Sequence, residues 1–201
     1  MRKKTLILIG AILIIAVLIS LILSLRGSVK TIKHGYFPIQ SYATIKTSYK
    51  SSQYDIDDYT ITFSVPDATE IYVSSDMGNE MQFSTYLVNN NELAFRGYIQ
   101  LWKIKDLERF LSYSKSLSPF DFRSYKVRDV LKSEYQGFII EWTAEFGQES
   151  ISGKEYWLKI NSTDEVVRIS ILSDTVEFPN KLDNVIQQIS DSLQIDVKYF
   201  I

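Results

Sequence analysis

Gly137-Phe138-Ile139-Ile140-Glu141-Trp142-Thr143-Ala144-Glu145-Phe146 decides how the rest of the chain must fold. Phe138, Ile140, Trp142, Ala144 and Phe146 fall on one side of a period-two pattern, with Glu141, Thr143 and Glu145 on the other. That alternation marks a strand. A loop with Gly147 and Gly153 follows, then a strand over Lys154–Ile160, a turn at Asn161–Asp164 and a strand over Val166–Ile171. Each connection is too short for a parallel crossover, so the three strands form an antiparallel meander. Past the meander, Pro179 sits at a first helical position, and Leu182, Val185, Ile186, Ile189 and Leu193 make an apolar stripe opposite Lys181, Asp183, Gln187 and Asp191. We expect this stripe to pack across the face carrying Phe138, Ile140 and Trp142, because neither can stay exposed in a monomeric domain.

Working towards the N-terminus, the period stays at two. In DYTITFSVP, Tyr59, Ile61, Phe63 and Val65 share a face, and Pro66 ends the run. Shorter strands are expected at Glu70–Ser74 and Glu80–Val88, then a turn at Asn89-Asn90-Asn91 and a strand over Leu93–Ile104. Between Lys105 and Leu117 the period changes: Leu107, Phe110, Leu111 and Leu117 suit one helical face, with Pro119 just beyond the end. Tyr125–Lys132 reads as a strand. The class is α+β: an antiparallel sheet ending in the three-strand meander, covered by a mid-chain helix and a C-terminal amphipathic helix.

Thr5 to Leu25 holds 21 residues without a charge. As a helix it spans roughly 30 Å, the hydrocarbon thickness of a bilayer. A cleaved signal peptide has a shorter apolar core, and no small-x-small site follows here, so the segment reads as an uncleaved transmembrane signal anchor. Arg2, Lys3 and Lys4 precede it, and Arg26, Lys30 and Lys33 follow. The N-terminal amine and the tight first cluster favour the N-terminus inside. Residues 1–4 are then a short cytoplasmic tail, 5–25 the anchor, 26–56 a linker with a short strand near Tyr42–Tyr49, and 57–201 one domain outside the cell membrane.

The chain has 22 Lys plus Arg, 24 Asp plus Glu, one His and no Cys. Disulfides, thiolate metal sites and thiol nucleophiles are therefore excluded. From His34 onward there are 16 basic residues and all 24 acids, a formal net charge of −8. Such a domain is a poor partner for nucleic acid or anionic lipid.

The order of elements resembles the PsbP/Mog1-type sandwich. The segments that carry the likeness are DYTITFSVP, YQGFIIEWTAEF, GKEYWLKI and VIQQISDSL, across about residues 55–195. The resemblance rests on order and pattern and transfers no site residue. It implies a membrane-tethered, extracytoplasmic protein of a kind that mostly lacks an assigned activity.

Candidate chemistry is sparse. Ser112-Tyr113-Ser114-Lys115 matches S-x-x-K, but the Lys-Thr-Gly strand that such hydrolases need is missing, since Lys46-Thr47-Ser48 precedes the match and lacks the Gly. Asp55-Ile56-Asp57-Asp58 is dense in carboxylates without the Gly and distal Glu of a calcium loop. Glu141 and Glu145 stand ~13 Å apart along one strand face, too far for a glycosidase pair. His34 lies in the linker with no acid near it in sequence, and Asn161-Ser162-Thr163 fits a glycosylation acceptor but more plainly a hairpin turn. No catalytic, cofactor-binding or metal residue is therefore assigned, and no cofactor is expected.

Tyr98 and Trp102 fall on one strand face beside Arg96 and Gln100, and Trp157 on another beside Glu155 and Lys159. These three rings form a possible binding surface, unless a helix or loop covers that face too, the reading we favour. The leading expectation is a non-enzymatic, membrane-anchored accessory protein that meets the bilayer through residues 5–25 and an envelope protein or glycan through its domain. The alternatives are a glycan- or ligand-binding module using Tyr98, Trp102 and Trp157, and an envelope hydrolase using Ser112 and Lys115 or a carboxylate site.

Overall fold

The structure, a computed structural model, describes residues 47–56, 58–74, 80–132, 134–161 and 163–198. The expected anchor, most of the linker and His34 lie outside them. No helix of the described residues is long and apolar enough to cross a membrane.

Among the described residues, ten strands and two helices follow in order: β1 (Tyr49–Ile56), β2 (Tyr59–Pro66), β3 (Glu70–Ser74), β4 (Met81–Asn89), β5 (Phe95–Lys103), α1 (Leu107–Ser116), β6 (Asp121–Leu131), β7 (Tyr135–Phe146), β8 (Glu149–Ile160), β9 (Glu165–Ser173), α2 (Asn180–Ser192) and β10 (Gln194–Val197). They build a seven-stranded sheet in the order β3-β4-β5-β9-β8-β7-β6 and a three-stranded sheet in the order β1-β2-β10. Every pairing is antiparallel. The class is α+β, and the meander is β7-β8-β9. Its first hairpin turns through Gly147 at φ +65°, a left-handed conformation that glycine adopts without a Cβ clash.

The large sheet separates two cores. On one face, Ile99, Leu101, Ile139, Tyr156, Leu158, Val167, Ile169 and Ile171 meet Ile61, Phe63 and Val65 of the small sheet and Leu182, Val185, Ile186, Ile189 and Leu193. On the other, Ile140, Trp142, Ala144, Trp157, Trp102 and Val166 meet Leu107 and Leu111, with Phe110 and Phe138 packed alongside. The terminal helix therefore does not cover Phe138, Ile140 and Trp142, as the sequence led us to expect. It lies on the opposite face, against β2 and β9, while α1 and the Phe120 segment close the tryptophan side. The physical reason is that β7 is buried on both faces, with Ile139 at 7% and Ile140 at 2% exposure. On its other side, Tyr135 and Ile139 join the core formed with the small sheet and α2, while Glu141 and Glu145 stay partly exposed.

The linker also ends earlier than expected. Tyr49–Ile56 is a strand paired along its whole length with β2, its half-buried Tyr54 and Ile56 facing the core. Helix α1 begins where Asp106 accepts a hydrogen bond from the Arg109 amide at 3.0 Å, an N-cap.

Candidate functional site

The face under α1 is the unusual one. Cross-strand register sets Tyr72, Tyr86, Tyr98, Ser170, Glu155, Ile140 and Val127 in one row across the large sheet. The next row holds Ser84, Gln100, Arg168, Trp157 and Phe138. Between these rows lies a buried polar network.

Glu155, 7% exposed, sits at its centre. The Arg168 guanidinium grips it with two bonds, Nε to Oε2 at 3.0 Å and Nη2 to Oε1 at 3.1 Å. The Trp142 indole donates to Oε1 at 3.1 Å and the Trp157 indole to Oε2 at 2.8 Å. Trp102 donates to Gln100 Oε1 at 3.2 Å, which also accepts from Arg168 Nη1 at 3.2 Å, and the Gln100 amide donates to Ser84 Oγ at 3.1 Å. All three tryptophans of the chain thus spend their N–H here. Arg168 also lies 5.0 Å over the Trp157 ring, a cation–π contact. Gly153 makes room: a Cβ there would stand 2.5 Å from the Trp142 ring.

Burial pushes the Glu155 carboxyl up, but the Arg168 charge and the hydrogen bonds from Arg168, Trp142 and Trp157 outweigh it and hold it below the ordinary carboxylate value. Tyr125 is pushed up to about 12, mainly by burial and then by the Glu155 charge. With both oxygens occupied, Glu155 has no free acceptor for a substrate and no proton to give at neutral pH. The network fixes the sheet. It does not present a reacting group.

Towards β3 the cover ends. Tyr72, Tyr86 and Tyr98 form a ladder with ring centroids 6.4 and 5.2 Å apart. Tyr72 is 54% exposed, and Tyr86 and Tyr98 are partly buried. Burial raises the Tyr86 and Tyr98 hydroxyls above their ordinary value, so all three rings are neutral at physiological pH. Arg96 closes the row above by pairing with Asp174 at 2.6 Å. Of the three rings singled out from sequence, Trp102 and Trp157 are 8% and 4% exposed beneath α1, in contact with Phe110, and only Tyr98 reaches the open part of the face. The sequence reading missed Tyr72 and Tyr86. Their even spacing from the turn was the available signal, but register across three strands is needed to see that they stack on Tyr98.

The other candidates lie apart. Ser112 and Lys115 are exposed on α1, and the Lys115 amine sits 4.1 Å over the Tyr125 ring. Glu145 pairs with Arg123, whereas Glu141 pairs with Arg128 at 2.5 Å and Lys154 at 2.9 Å. Lys154 bridges on to Asp183 at 2.6 Å beside a polar pocket of about 250 Å³ lined by Ser124, Lys126, Thr143 and Asn180 among others. Asp55 accepts from Thr60 at 2.7 Å and meets Lys198 at 3.3 Å. No group of three or more His, Cys, Asp or Glu that could hold a metal ion occurs among the described residues. Thr163 lies in the β8–β9 turn and donates to the Ile160 carbonyl at 3.1 Å.

A small sheet and a terminal helix on one face of a long antiparallel sheet, with a mid-chain helix on the other, form the PsbP/Mog1-type sandwich. One solved structure bears this out, and a second falls just below it in similarity. The Saccharomyces cerevisiae Ran-binding protein Mog1p superposes with a TM-score of 0.50 at 11% identity, over 74% of this chain and 96% of that one. The cyanobacterial PsbP (CyanoP) of Synechocystis sp. PCC 6803 gives 0.49 at 9% identity, over 80% of this chain and 100% of that one. No family model matches the sequence, and no curated protein is similar to it in sequence.

Proposed function

We propose that this chain is a non-catalytic accessory protein, held at the cell membrane by residues 5–25 with its domain outside, which works by binding another protein. The observation that carries the reading is the open end of the α1 face. There Tyr72, Tyr86 and Tyr98 stack beside Arg96, the residue types that dominate protein-binding hot spots. Tyrosines stacked on one another on a sheet face lose little entropy on binding. The fold accommodates such work, since Mog1p is Ran-binding. A sugar platform is less well served, because the ladder rings are tilted by 33° and 40° to one another.

The test is a photo-crosslinking residue at Tyr72 in the full chain in its own cells, with Tyr113 as an equally exposed control. A discrete protein adduct from Tyr72 alone, lost on Tyr98→Ala with Arg96→Ala, is the expected result. Equal adducts from both sites, or none, overturn the reading. Anchoring is read separately: the chain should stay with membranes through alkaline carbonate, and its domain should be cut by external protease.

A further inference from the structure

We infer that the outer edge of β3 is a strand-addition site for an extended, basic segment of a partner protein. The inference rests on the reading of the domain as a binding module and names what its open end recognises.

The two edges of the large sheet are built differently. β6 shows the usual protections: a bulge between Phe122 and Ser124, and Arg123, Lys126 and Arg128 along its length. β3 has none of these. Its sequence, Glu-Ile-Tyr-Val-Ser, contains no Lys, Arg or Pro, and among the described residues it pairs only with β4. Among the described residues, no backbone hydrogen bond leaves its outer side. Tyr72 and Val73, at 54% and 53% exposure, stand on opposite faces of that bare edge. An unpaired row of N–H and C=O groups is a template for another strand.

Charge says what kind of strand. From Asp67 to Phe95 the chain carries Asp67, Glu70, Asp76, Glu80 and Glu92 and not one Lys or Arg. Asp67 and Glu70 are exposed beside the edge. A segment with Lys or Arg on the Glu70/Tyr72 face would meet a carboxylate and the face of a ring, and a β-branched residue on the other face would cover Val73. An acidic segment, or the β3 edge of a second copy, would meet like charge.

The experiment uses the full chain in detergent micelles and a blocked peptide of alternating valine and lysine, followed by amide hydrogen exchange. The expected result is about tenfold slower exchange of the outward β3 amides, with none at β6. A valine–glutamate peptide and the Val73→Lys variant, which should melt at the parent temperature, should both lose that protection. Equal protection by the glutamate peptide, or protection at β6, overturns the proposal. So does concentration-dependent protection without peptide, which would make a second copy the occupant. If the peptide fails while the Tyr72 crosslink persists, strand addition falls and the binding reading stands; if both fail, both fall.

Discussion

The two faces of the seven-stranded sheet are buried by opposite means. Under α2 the contact is aliphatic: Leu182, Ile186 and Ile189 are fully buried against Val167, Ile169 and Ile171, also fully buried. Under α1 the centre is an ion pair ringed by indoles, with Glu155 taking four hydrogen bonds. The first arrangement gains from area removed from water and tolerates imprecision. The second gains only if every donor and acceptor is met, because a half-satisfied network costs more than an apolar core. The α2 face thus supplies most of the free energy of folding, and the α1 face sets the rigidity on which the tyrosine ladder stands.

The largest effect expected from this comparison is loss of the whole domain. Burying each aliphatic side chain of α2 contributes ~1.5–3 kcal/mol, so its stripe contributes on the order of 10 kcal/mol against a typical net stability of ~5–15 kcal/mol. A chain ending at Val176 lacks α2 and also β10, which pairs with β2. It should show no cooperative melt by circular dichroism. A melt near the parent temperature would mean that the aliphatic face does not carry the fold.

The charged face gives the next largest effect. Arg168→Met leaves Glu155 buried with only indole donors and should cost ~3–5 kcal/mol in urea melts, whereas Glu155→Leu combined with Arg168→Met should recover most of it. The sign of the pH dependence sharpens the point. In the parent, the folded Glu155 value is depressed, so its contribution is complete above the ordinary carboxylate range and is lost as pH falls through the folded value, below ~4.3. In Arg168→Met, only the Trp142 and Trp157 bonds still oppose burial, which then raises the value. That variant should then lose stability as pH rises from about 4 to 7. Parallel pH–stability curves for the two proteins would show that Arg168 does not govern Glu155.

On the aliphatic face, Ile189→Ala should cost ~2–5 kcal/mol, with little change of slope against pH. A pH-dependent loss would couple that core to the Lys154 bridge between Glu141 and Asp183.

What the sequence shows of this comparison is uneven, and the reason is physical. Alternation in DYTITFSVP and in the meander, and the 3.6 period of α2, report which residues share a face. They do not report which helix covers it. Because β7 and β8 are buried on both sides, Phe138, Ile140 and Trp142 looked like the single apolar face while Ile139, Tyr156 and Leu158 formed a second. β1 carries little pattern of its own, since an edge strand needs only Tyr54 and Ile56 to face inward. β10 is four residues long and gains its identity from pairing with β2, more than a hundred residues earlier. Of the site, Tyr98 beside Arg96 was visible by local alternation, but its stacking on Tyr86 and Tyr72 depends on pairings that no local pattern contains.

The smallest effect separates two of the three indoles. Trp157→Phe and Trp102→Phe remove the same ring atoms from neighbouring places in one core, where the two rings lie 6.5 Å apart. The packing loss should therefore be similar, and the difference isolates the acceptor. Trp157 donates to the Glu155 carboxylate at 2.8 Å, and Trp102 donates to the neutral Gln100 carbonyl at 3.2 Å. Hydrogen bonds to charged groups are worth ~1.5–3 kcal/mol net and neutral ones ~0.5–1.5 kcal/mol. Trp157 also carries the Arg168 guanidinium on its ring. Trp157→Phe should thus be the more damaging by about 1 kcal/mol, read from paired denaturant melts at neutral pH. The gap should close in the Glu155→Leu/Arg168→Met background, because the charge that made the two indoles unequal is gone. If it persists there, the difference is one of packing, and the α1 face is stabilised in the same way as the α2 face.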